Sequence, residues 1–103
     1  MARVEQLKKM LEAEPDDVFL HFALAMEHAK AGDHRAALAH FDRVIFLDRA
    51  YHAAYFHKGS TLIGLGRVDE AQDVLRRGVE AAGRAGDAHA EEEMRGLLAT
   101  TGG

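Results

Sequence analysis

Residues 30–45, KAGDHRAALAHFDRVI, have a twin 34 positions downstream, GLGRVDEAQDVLRRGV at 64–79. In register, Gly32 falls on Gly66, Ala37 on Ala71, Phe41 on Leu75 and Ile45 on Val79. The preceding segments match too: His21 with Tyr55, Phe22 with Phe56, Ala25 with Gly59. Shifted 34 back, Leu7 meets Phe41, Met10 meets Val44 and Leu11 meets Ile45. The second half of the period therefore occurs three times and the first half twice. Self-similarity at a fixed spacing of this size signals stacked supersecondary units, each burying its apolar side on a neighbour.

Each unit reads as two helices. Gly32 and Gly66 interrupt otherwise helical patterns, and glycine supplies the positive φ that closes a helix. Asp33 follows as an N-cap. Its counterpart is Arg67, so that cap is weaker, with Asp69 and Glu70 compensating through the helix dipole. Pro15, Asp16 and Asp17 close the first helix and open the next. The expected helices lie near 2–13, 18–31, 34–47, 52–65, 68–82 and 87–99.

With these features in place, the chain resembles the tetratricopeptide repeat family, which has the same period and a helix–turn–helix unit. The first full copy reads His21-x2-Leu24-Ala25-x2-His28, then Ala37-x3-Phe41. The second reads Tyr55-x2-Lys58-Gly59-x2-Leu62, then Ala71-x3-Leu75. The family pattern is Trp-x2-Leu-Gly-x2-Tyr, Ala-x3-Phe and a closing Pro. Histidines stand at two aromatic positions, Lys58 replaces a leucine, and Arg49 and Gly83 replace closing prolines, which predicts looser late turns. The resemblance covers about residues 1–85. It implies an all-α, right-handed solenoid of helical hairpins, about two and a half units long. Residues 1–16 form a half unit, 17–50 and 51–84 full units, 87–99 a capping helix and 100–103 a flexible tail. Arg3 occupies the slot of Ala37 and Ala71, where no upstream helix demands a small residue. Asp87 caps the last helix, and Glu91, Glu92, Glu93 and Arg95 give it the polar outer side a terminal repeat needs.

The helix beginning at Val18 is apolar nearly all round, so it is buried on two sides or presents one to something else. Leu20, Leu24, Ala25 and His28 make one stripe, directed at the following helix. Phe19, Phe22, Met26 and Lys30 make another, roughly opposite at 3.6 residues per turn. Ala53, Phe56, Ser60 and Ile63 repeat it one period later. The family resemblance puts Phe19, Phe22, Met26, Lys30, Phe56, Ser60 and Ile63 in a concave groove that takes a protein or peptide, as in a small adaptor or assembly factor. Apolar side chains there favour an apolar ligand, since burial gains roughly 25 cal/mol per Å². Chaperone-type members of the family clamp a terminal carboxylate with Lys and Asn; Phe22, Met26 and His57 stand in those places, which argues against that specificity. A homodimer with grooves or end faces packed together is the alternative, and filling by the last helix or the tail ATTGG a third.

Other functions find little support. The net charge of −4 comes without a basic stripe, so no nucleic-acid partner is expected. The longest apolar stretch, Val18 to Met26, is broken by His21, and no membrane span or signal peptide is read. A cytoplasmic location is the expectation, and Met1 with the glycine tail points to a whole chain. The chain has no cysteine and only one serine, Ser60. His57 precedes Ser60 by three positions, but no orienting group or oxyanion site is evident, so no enzyme is expected. No two of the seven histidines are spaced i, i+4, so no metal or other cofactor is expected. His34, His40 and His89 read as exposed, while His21 and His28 read as packing residues. Protonation of that pair below about pH 6 would put charge into a helix–helix seam.

Overall fold

A computed structural model of the protein describes residues 2–102. Its elements are α1 (Ala2–Ala13), α2 (Val18–Lys30), α3 (His34–Leu47), α4 (His52–Gly64), α5 (Val68–Ala85) and α6 (Ala88–Ala99). There is no strand among the described residues, and no helix is long and apolar enough to cross a membrane. The helices fall into two compact units, α1–α3 ending at Asp48 and α4–α6 beginning at Arg49.

The turns follow from local chemistry. Gly32 and Gly66 adopt left-handed backbone at φ 82° and 77°, a region costly for residues with a Cβ. The chain reverses there through paired bonds, Asp33 N to His28 O at 2.9 Å and Gly32 N to Ala29 O at 3.1 Å, matched by Arg67 N to Leu62 O and Gly66 N to Ile63 O at 2.9 Å each. These Schellman closures satisfy the last carbonyls of α2 and α4. Asp17, Asp33 and Asp87 accept from Leu20 N, Ala36 N and Ala90 N, capping α2, α3 and α6. Arg67 makes no side-chain cap bond; it grips Glu70 instead, at 2.7 and 2.8 Å.

Helix α5 runs to Ala85 rather than ending near 82. Gly83 stays helical, because the left-handed residue that stops the helix is Gly86, at φ 73°. The same paired bonds then form, Asp87 N to Ala82 O and Gly86 N to Gly83 O. Within the expected tail, the Gln72 side chain of α5 donates to the Thr101 carbonyl at 3.2 Å and to its hydroxyl at 3.1 Å. Gly103 lies outside the described residues.

In the first unit Leu24 and Ala25 of α2 are fully buried with Ala37, Phe41 and Val44 of α3, and Leu7 of α1 closes the core. In the second unit, Ala54 and Leu62 of α4 bury with Ala71 and Leu75 of α5 and Met94 of α6. Small residues set the helix separation. A Cβ on Gly78 would lie 2.5 Å from Met94 Sδ and 2.7 Å from Tyr55 Cβ, so α5 meets both neighbours at a position where only hydrogen fits.

Candidate functional site

Helix α2 is apolar on two sides and buries only one. Leu24 and Ala25 are inaccessible, whereas Phe19 is 73% exposed. Phe22 and Met26 are half-buried and Lys30 is exposed. Expected site residues Phe19, Phe22, Met26 and Lys30 thus share the outer side of α2, and Phe56, Ser60 and Ile63 share α4. Of the α4 set, Ser60 is exposed while Phe56 and Ile63 are half-buried.

The two stripes of α2 are not cleanly separate. The Phe22 ring lies 6.1 Å from that of Phe41, tilted by 60°. Residues three apart on a helix differ by only about 60° in direction, so Phe22 borders Ala25 and reaches the core edge. It therefore contributes to the α2–α3 contact as well as to the outer face. At the C-terminal end of α2, Glu27 Oε2 takes Arg3 Nε at 3.1 Å and Lys30 Nζ at 3.7 Å. This places a charged rim beside Met26. The ends of the face differ, then: Phe19 is apolar and exposed, Lys30 and Arg3 are cationic.

On α4 the Phe56 ring stands edge-on to His57, 5.2 Å away at 88°. Burial pulls the His57 imidazole below its ordinary pKa, and the Glu93 carboxylate on α6 acts against that. Thr61 donates to the His57 carbonyl at 2.8 Å. His52 Nε2 approaches Asp87 Oδ2 at 3.2 Å, tying the start of α4 to the cap of α6. Among the described residues no group of three or more His, Asp or Glu could hold a metal ion.

His40 departs from expectation. It is half-buried, not exposed. Its Nδ1 lies 3.1 Å from Nδ1 of His21, and its ring stacks on His28 at 5.7 Å and 8°. The signal was present in the sequence, because the repeat counterpart of His40 is Val74, an apolar core position.

Comparison with known proteins agrees with this architecture. The tetratricopeptide repeat family model matches residues 28–99. A TPR repeat-containing protein of Pseudomonas aeruginosa is 32% identical over 95 residues, covering 92% of this chain and 90% of that one. The solution structure of a tetratricopeptide repeat domain protein from Salinibacter ruber is 32% identical, with TM-score 0.79 over 84% of this chain and 88% of its own. The TPR2B domain of yeast Sti1, solved in complex with pHsp70, has TM-score 0.89 over 96% of this chain and 79% of its own. At 19% identity it shares the fold.

Proposed function

The chain belongs to the tetratricopeptide repeat family, and from that premise we propose that it is a protein-interaction module with a ligand-docking face on the outer side of α2 and, one period later, an equivalent face on α4. The supporting observation is Phe19, a large ring left 73% exposed on a helix whose other side buries Leu24 and Ala25 completely. Phe22 and Met26 extend apolar surface along α2, and Phe56 and Ile63 supply it on α4; Lys30 and Ser60 are the polar points. Exposed apolar patches on proteins mark interaction sites. The repeat division, with full units at 17–50 and 51–84 and α6 as the terminal cap, belongs to this reading.

The yeast relative binds a pHsp70 ligand, and the same general role, capture of a protein or peptide, is proposed here. The ligand chemistry differs. Phe22, Met26 and His57 favour an apolar segment, such as one face of an amphipathic helix, over a terminal carboxylate. Lys30 and Arg3 at one end favour an acidic residue flanking it. The proposed role is that of an adaptor or assembly factor rather than an enzyme.

A photocrosslinking residue at Phe19, compared with one at Phe46 on α3, tests the proposal. Phe46 is 70% exposed and lies outside the proposed face. Crosslinks to a different protein from position 19 and not from 46 would support the proposal. Crosslinks only between two copies of this chain, with light scattering reporting a dimer, would replace it by self-association.

A further inference from the structure

Three histidines, His21, His28 and His40, meet in the α2–α3 seam, away from the proposed docking face. His21 Nε2 lies 2.7 Å from the Pro15 carbonyl oxygen. A carbonyl only accepts, so Nε2 carries the hydrogen. In neutral His21, Nδ1 is then a bare acceptor. The 3.1 Å contact between the two Nδ1 atoms requires His40 Nδ1 to donate. Two neutral rings are thereby fixed in opposite tautomers.

This arrangement has room for one more proton and not for two. A proton on His40 Nε2 leaves the Nδ1 contact untouched. A proton on His21 Nδ1 is accepted if His40 moves its own hydrogen to Nε2. With both rings charged, two N–H groups face each other and no acceptor remains. The surroundings also oppose the second proton. Burial, His21, His28 and Lys8 of α1 all pull His40 below the ordinary histidine pKa. His28 stacks on His40, with its Nδ1 3.9 Å from Asp33 Oδ2. The nearby Asp16 on the α1–α2 turn is engaged by Arg43 of α3 at 2.9 Å.

We propose that His21, His40 and His28 make the α2–α3 seam a proton-operated latch: His21 ties the Pro15 turn to α3 while the His21–His40 pair carries at most one proton beyond its neutral state, and a second added proton releases it. The latch is particular to the first unit. The repeat counterparts are Tyr55, Val74 and Leu62, which are buried and carry no imidazole. The inference does not rest on the docking-face reading.

Long-range 1H–15N correlation spectra of the wild-type chain between pH 8 and 4.5 test the tautomers directly. The expected result is Nε2–H on His21 and Nδ1–H on His40 at neutral pH, with His40 titrating below 6.5. Full double protonation should coincide with shifts of the amides at Asp16, Asp17 and His40. An Nε2–H form of His40 at neutral pH would overturn the proposal, as would double protonation that leaves those amides unmoved. The second measurement uses residues the repeat already tolerates: His21→Tyr, His28→Leu and His40→Val together. Between pH 7.5 and 5 the wild-type thermal midpoint should fall by about 5 °C more than that of the variant. Equal falls in both proteins would also overturn it; if the variant does not fold, the wild-type spectra decide.

Discussion

His21 donates from Nε2 to the Pro15 carbonyl at 2.7 Å, and one period later the Tyr55 hydroxyl donates to the Arg49 carbonyl at 3.1 Å. Two chemically different side chains hold the same turn, because the period brings each to the same place. The Tyr55 bond also explains how the second turn holds without a proline at Arg49. Tyr55→Phe should cost about 1 kcal/mol, the net value of one such bond, read as a lower denaturant midpoint with unchanged slope.

Arg67 is the one glycine-turn cap without a side-chain bond, yet its backbone (φ −91°, ψ 67°) matches that of the capping Asp33 (φ −87°, ψ 76°). Arg67→Asp should therefore gain a cap worth about 1 kcal/mol. It gives up only an exposed, solvent-screened pair with Glu70. A net rise in stability is expected from chemical denaturation. Asp33→Ala should lose about 1 kcal/mol.

Two buried glycines should differ in tolerance. At Gly59 an added methyl meets Leu75 Cδ2 at 2.6 Å and Cγ at 2.7 Å, atoms beyond the Cβ of a side chain that can shift by rotation, and the repeat twin at that position is Ala25. At Gly78 the obstacle includes Tyr55 Cβ, anchored to the backbone of α4. Gly78→Ala should cost about 1–3 kcal/mol through overpacking, and Gly59→Ala less; thermal melts of the two variants rank them.

Acid should weaken the second unit through His57. Its folded pKa is depressed by burial below the ordinary 6.5, so the unfolded chain binds more protons between those two values. Stability is full above 6.5 and declines as pH falls toward the folded pKa. Glu93 attracts the imidazolium, so Glu93→Gln should enlarge the drop in thermal midpoint between pH 7.5 and 5. A smaller drop would contradict the assigned role of Glu93.

The helices and their caps were legible because the fixed period, Gly32, Gly66 and the capping aspartates act locally. Side-chain relationships across a seam were less so. Phe22 sits only about 60° from Ala25 on the helix, and a two-stripe division could not foresee its contact with Phe41. Helix spacing gave no sign of His40 meeting His21, which depends on how α2 and α3 align. The continuation of α5 past Gly83 reflects competition between two nearby glycines, Gly83 and Gly86, for the stop.

The most direct test of the docking face is the affinity of Phe19→Ala for a partner captured at position 19, measured by calorimetry alongside thermal melts. Phe19 is 73% exposed, so its removal should change stability by no more than about 0.5 kcal/mol. Binding should weaken at least about tenfold, as for an anchoring aromatic. Wild-type affinity in the variant would contradict the account.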